Sequence, residues 1–343
     1  MKNKFSDNRI SFSYKYFRLF LLFLLLTTNI LAQEYKTVVA QKGDGIYSLL
    51  KRNGLSPSDH FNPFIELNKS KLGRNNTLFA GQSYSLPIEA EMTNSIPVSG
   101  ATYSIFGKAY EKVIPIDNAL NGAVYYLVSG HGGPDPGAVG RYGNHTLCED
   151  EYAYDVTLRL ARRLIEHGAL VYMIIRDEND GIRDDSYLTP DKDEKCYPNH
   201  TIPRNQVRRL RQRKDAVNKL YIKHKGSFQR LIITHVDSRS RGENIDVFFY
   251  HDKRSKTGKK LASNLQQTFK KKYDTHQPNR GYHGTISDRN LYVLKYSYPP
   301  AVFIELGNIN HYRDQQRFIR NNNRQALANW LAEGLLLDFK NNK

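Results

Sequence analysis

The chain is poor in cysteine, in acidic residues and in long apolar runs, and each shortage removes a class of protein. Cys148 and Cys196 are the two cysteines among 343 residues, and no Cys-x-x-Cys pair exists, which excludes a thiolate metal site as the main chemistry. In an oxidising compartment these two thiols can form one disulfide, pinning segment 181–200 beside the neighbour of Glu149; two unpaired buried thiols are the equally ordinary alternative. Asp and Glu number 34 against 51 Lys and Arg, a formal net charge of +17 that draws the chain toward nucleic acid, anionic lipid or an anionic cell wall. The uncharged stretch Leu19 to Ala32 covers about fourteen residues, too few to span a bilayer comfortably. No internal repeat is visible, which excludes a solenoid or an array of modules.

What is present narrows the choice further. Lys2, Lys4, Arg9, Lys15 and Arg18 precede the unbroken Leu and Phe of Leu19 to Leu26, and the small residue Ala32 follows. A charged leader, a short apolar region and a small residue at the end predict a secretory signal over 1–32. No Cys follows it, so a lipid anchor is not supported, and after cleavage no stable membrane insertion is expected. Export to the periplasm or the extracellular wall argues against nucleic acid as the partner of the basic surface. The length suits one good-sized catalytic domain plus something smaller, and 39% hydrophobic with 25% charged residues is a globular composition.

Residues 35–87 read as a small module. Val38-Val39 is β-prone, Lys42-Gly43-Asp44-Gly45 is a turn, and Ile46, Leu49 and Leu50 recur at helical spacing before Gly54. A second helix is expected across Phe61 to Leu67, then a turn and strand ending at Leu86-Pro87. The order strand, helix, helix, strand, with Gly43-Asp44, Ile46-Tyr47-Ser48-Leu49, Asn68, Gly81-Gln82 and Leu86-Pro87, resembles the LysM module, a unit that binds N-acetylglucosamine-containing polymers. Gly45 stands where that family usually has Thr. The resemblance implies a peptidoglycan-binding module over 33–90, with Gly43, Asp44, Tyr47 and Asn68 as glycan-binding candidates. Residues 91–122 read as a linker with a packed portion near Tyr103–Tyr110.

From residue 123 to 340 strands and helices alternate. Val124–Val128, Leu170–Ile175, Leu231–Thr234, Val247–Tyr250 and Ala301–Ile304 are apolar runs fit for buried strands, separated by helical stripes. This predicts an α/β domain, a mostly parallel twisted sheet flanked by helices, preceded by the small β-α-α-β module. In such sheets the chemistry gathers at the carboxyl ends of the strands. His131, His235 and Glu305 each follow a strand, and Glu149 sits just ahead of a helix. Two histidines and a carboxylate are a usual ligand set for catalytic zinc, which keeps one position open for water. Glu151 is a rival to Glu149 on chemistry alone.

Gly130-His131-Gly132-Gly133-Pro134-Asp135-Pro136-Gly137-Ala138 resembles the signature of zinc-dependent N-acetylmuramoyl-L-alanine amidases. The likeness continues through Glu149 and its helix, Arg176-Asp177, Arg213 with Asn218, His235, and Pro300 to Gly307 with Glu305 in Glu-Leu-Gly. It implies one Zn2+ held by His131, Glu149 and His235, Glu305 as the catalytic carboxylate, and Arg176 and Arg213 in support. The implied reaction is hydrolysis of the bond between N-acetylmuramic acid and L-alanine in peptidoglycan, with peptidoglycan as partner; an activator protein is not identifiable. Val128-Ser129 replaces the usual Asp-Pro, and Val236-Asp237 the common Ala-Asn, which touches residues around the metal rather than its ligands. Two other classes compete: a non-catalytic wall-binding protein, against which Glu305 argues, and a zinc peptidase acting within the stem peptide. Residues 178–206 form a long polar loop, expected to border the cleft as a lid or peptide-contacting loop.

Overall fold

The computed structural model describes residues 35, 37–55, 57–87, 100–239 and 242–342, which fall in two separate units. The expected signal over 1–32 lies outside the described residues. The first unit runs β1 (Thr37–Val39), α1 (Ile46–Arg52), α2 (Pro57–Asn68) and β2 (Ser83–Ser85), with β1 and β2 antiparallel. Gly43 holds the turn before α1 at φ +90°, a conformation that costs an L side chain energy. Ile46, Leu49 and Leu50 bury against Phe64, Tyr84 and Leu86 to form its core. Asn68 belongs to that core rather than to a glycan surface. Its amide donates to the carbonyls of Phe64 (2.9 Å) and Ser85 (2.7 Å) and accepts from the Ser85 N–H (2.8 Å), so it clamps α2 onto β2.

The second unit is built on a six-stranded sheet. Its strands are β3 (Ala123–Ser129), β4 (Leu170–Met173), β5 (Phe228–Asp237), β6 (Phe248–His251), β7 (Ile286–Asp288) and β8 (Ala301–Asn308), in the spatial order β7-β6-β8-β5-β3-β4. All neighbours are parallel except β6 and β8. The apolar runs are continuous because the sheet has a core on each side. Tyr125, Leu127, Ile232, Val302 and Ile304 face one layer, packed by α3 (Glu149–Glu166), α5 (Lys256–His276) and α6 (Asn321–Lys340). Val124, Tyr126, Val128, Leu231, Ile233 and Phe303 face the other, where Val217 and Leu220 of α4 (Gln206–Lys223) cover them. Phe106, Val113 and Leu120, from the segment read as linker, are buried in the first of these layers. Cys148 and Cys196 are both buried free thiols.

The 178–206 segment is packed rather than a bare polar lid. Ile182, Leu188, Cys196 and Ile202 are buried, and Lys195–Cys196 pairs antiparallel with both Ile175–Arg176 and His200–Thr201. Its far side is tied down by Arg324, whose fully buried guanidinium meets Asp155 at 2.7 Å and donates to the carbonyls of Arg183 (2.7 Å) and Asp185 (2.9 Å). Removing Arg324 takes one of the two guanidiniums from buried Asp155, which keeps Arg159 at 2.7 Å, and leaves the Asp185 carbonyl without this donor. Arg324→Ala is expected to destabilise the second unit by about 1–3 kcal/mol, the scale of leaving buried polar groups unsatisfied, read as a lower urea midpoint with an unchanged slope.

Candidate metal centre

The parallel register of the sheet brings the site together. His235 on β5 lies opposite Glu305 on β8, so the two side chains leave the same face at the carboxyl ends of neighbouring strands. The His235 ring stacks on Phe303, two residues before Glu305 (centroids 4.3 Å apart, planes at 18°). The loop after β3 supplies His131, whose ring meets that of His235 edge-on at 4.9 Å. Glu149 enters from the first turn of α3, where the positive end of the helix dipole favours a carboxylate. One ligating atom from each of His131, Glu149 and His235 lies within 4.8 Å of the others, so these three residues are able to hold a metal ion. Glu151 is not in that group; it pairs with Arg183 at 2.9 Å.

Glu149 is satisfied on both oxygens. Oε1 accepts from the Val236 N–H (2.9 Å) and lies 2.8 Å from His235 Nδ1, while Oε2 accepts from the Ala138 N–H (2.7 Å) and lies 3.2 Å from His131 Nε2. Burial alone pushes this carboxyl up, but the His235 hydrogen bond, the two imidazoles and the Ala138 N–H hold it below its ordinary value. Burial pushes His235 the other way, toward the neutral imidazole that a metal needs.

His131 adopts φ +57°, the left-handed region, and two contacts keep it there. Its Nδ1 lies 2.9 Å from Asp135 Oδ2, and its carbonyl accepts from the buried Arg213 guanidinium. Asp135, itself paired with Arg209, is held at about 2 chiefly by the His131 hydrogen bond. An Nδ1–H bonded to a carboxylate leaves Nε2 free to ligate. Asp135 lay inside the quoted signature without an assigned role; its spacing four residues after His131 in a tight loop is the signal that could have found it. Arg213, in turn, acts through the His131 backbone. Arg176 stands elsewhere, donating to the Pro198 carbonyl at 3.3 Å.

Glu305 completes the cleft. It is 8% exposed, and its Oε2 is buried without a hydrogen-bond partner among the described residues. Burial, and then the carboxylates of Glu149 and Asp237, push its pKa well above the ordinary carboxylate range. In the first unit Tyr47 is 52% exposed beside Phe61, whereas Asp44 is engaged with the Gln41 N–H (2.7 Å) and Arg52 (2.8 Å).

Fold and side chains together define a class, an α/β protein with a candidate metal-ligating group at the carboxyl ends of its parallel strands. Within it, the chain belongs to the N-acetylmuramoyl-L-alanine amidase family, which it matches over residues 126–336. It is 26% identical across 233 residues to the Staphylococcus aureus protein named "Probable cell wall amidase LytH", a match covering 65% of this chain and 60% of that one. The chain thus spans less than two thirds of that relative's length. Among solved structures it is similar to the CwlD amidase of Clostridioides difficile in complex with the GerS lipoprotein (TM-score 0.47, 19% identity, 63% of this chain and 98% of that one). It is also similar to the Ami1 amidase of Mycobacterium smegmatis (TM-score 0.48, 15% identity, 65% of this chain and 99% of that one).

Two glycines make room for this centre. A Cβ on Gly130 would stand 2.4 Å from the His235 ring, and one on Gly137, at φ +71°, would stand 2.6 Å from Glu149 Oε2 and 2.7 Å from the His131 ring. Gly137→Ala is expected to lower bound metal at least ~10-fold, the scale seen when groups supporting a metal's ligands are disturbed. Metal content by mass spectrometry checks this, alongside circular dichroism that should show the sheet intact.

Proposed function

We propose that the chain is an exported zinc amidase that releases stem peptides from peptidoglycan by cutting between N-acetylmuramic acid and L-alanine. The observation that carries this reading is the meeting of His131, Glu149 and His235 beside a buried carboxylate with an unpartnered oxygen, Glu305. Two imidazoles and one carboxylate suit Zn2+ better than a hard cation, and three protein ligands leave a position for water or substrate. When bound there, zinc would lower the pKa of water and polarise the amide carbonyl. The protein's own residues would do the rest. Asp135 fixes the His131 tautomer, Arg213 fixes the loop, and the stacked Phe303 fixes the His235 ring plane. Glu305, whose proton affinity is raised by burial and the nearby carboxylates, would as the carboxylate accept a proton from the attacking water and deliver it to the departing amine nitrogen. An amide needs that second transfer, because an unprotonated amine anion is a poor leaving group.

The first unit is proposed as the peptidoglycan tether, with Tyr47 offering an exposed aromatic face to sugar and the net charge of +17 favouring an anionic wall. The basic leader and apolar stretch of 1–32 support export. Among the described residues no helix is long and apolar enough to cross a membrane.

Digestion of purified peptidoglycan, followed by mass spectrometry, tests the reading. Free stem peptides beginning with L-alanine are expected, and they should vanish on chelation and return with Zn2+. Cuts within the peptide would identify a peptidase, and intact wall a binder. Glu305→Gln should lower kcat by about 10²–10⁴ while zinc stays bound.

A further inference from the structure

A second group of potential metal ligands lies on the other side of Glu149 in sequence. Asp150, Glu151 and Glu194 each place a carboxylate oxygen within 4.8 Å of the others, and so do Asp177, Asp191 and Glu194, with Glu194 common to both sets. Four of these five residues are buried, between 2% and 5% exposed. Among the described residues Arg183 is the one cation in ion-pair contact with the group, and it divides itself between Glu151 (2.9 Å) and Asp180. Carboxylates gathered out of water with so little compensation are costly unless they take up protons or a cation.

The individual oxygens show where compensation is missing. Glu151 accepts from the Asp191 N–H (3.1 Å) as well as from Arg183, and Glu194 Oε2 accepts from the Gly133 N–H (2.6 Å). Asp177 Oδ1 accepts from the N–H groups of Asn179 (3.0 Å) and Asp180 (2.9 Å). Asp150 stands apart. Its Oδ1 accepts from the Glu151 N–H at 3.0 Å, but its Oδ2 is buried with no hydrogen-bond partner among the described residues, in a residue only 2% exposed. A buried carboxylate oxygen without a donor, inside a set spaced for coordination, calls for a proton, a water or a cation as its partner.

We infer that the two triads Asp150–Glu151–Glu194 and Asp177–Asp191–Glu194, joined through Glu194, bind a hard divalent cation, calcium by their donor set, at a site separate from the His131–Glu149–His235 centre. The donors are oxygen alone, with no imidazole or thiolate, which disfavours zinc. Carboxylates alone, drawn from two chain segments with Glu194 common to both triads, suit the flexible oxygen shell of calcium better than the largely hydrated shell of magnesium. The cation does structural work. It joins segment 177–194 to the start of α3 directly after Glu149, and Glu194 passes that anchorage to Gly133 in the loop that bears His131.

The test uses the full chain, stripped of metal and given back one equivalent of zinc. Titration with CaCl2 should raise the unfolding temperature by roughly 5–10 °C once calcium exceeds its Kd about 100-fold. Trypsin cleavage within 178–206 should slow over the same range. Asp191→Asn, a half-buried change on the loop, and Asp150→Asn at the orphaned oxygen should each weaken the calcium response at least ~10-fold with zinc content unchanged. No calcium-dependent shift in the native chain, or an undiminished shift in both variants, would overturn the inference. Zinc content and peptidoglycan digestion are read separately, so an inactive chain that still responds to calcium speaks against the amidase reading alone.

Discussion

A carboxylate buried at the start of a helix has to be compensated by whatever chain surrounds it, and Glu149 draws compensation from three directions. The loop after β3 gives the Ala138 N–H and His131, β5 gives the Val236 N–H and His235, and α3 contributes the positive end of its dipole. Each of these donors is placed by a different part of the fold. The register of β5 on β8 aligns His235 with Glu305, and Arg213 on α4 holds the left-handed turn at His131. Loss of this one acid would leave two backbone N–H groups without acceptors, so Glu149 joins local architecture to chemistry.

The arrangement divides charge in a consistent way. On the histidine side, carboxylates face imidazoles and backbone donors, and Glu149 is held ionised. Glu305 has no such partners and is pushed toward its protonated form. Two glutamates a short distance apart are thus biased to opposite states by their surroundings, one toward ligating and the other toward moving a proton. The carboxylates beyond Glu149 follow a third pattern, burial with scant positive charge.

Much of the fold was legible because apolar runs have few ways to be satisfied. Val124–Val128 has no polar face, and the structure gives it two cores. The residues of the candidate centre were legible as a set, since His131, Glu149, His235 and Glu305 each stand at an element boundary. Individual polar residues were not. Asn68 has the composition of a ligand-binding side chain, yet it spends its amide on Phe64 and Ser85. Glu151 stood in the sequence as a rival to Glu149 and Glu194 as one acid of a polar loop, because charge in a sequence carries no mark of burial. Arg176 sat at the expected strand end but turned to Pro198. Periodicity reports which face is apolar, and it is silent on which polar group finds its partner inside the chain.

The contacts that build the centre span long stretches of chain. Glu149 and His235 are separated by 86 positions and Arg213 and His131 by 82, so no short peptide of this sequence contains a preformed chelate. Collapse of a local segment therefore gains nothing from the ion. Only a chain that has already closed its sheet presents the three candidate ligands together, so that any affinity for metal would be a property of the whole domain. Metal capture would then act as a late proofreading event in assembly, rewarding completed topology and leaving partially folded forms empty-handed.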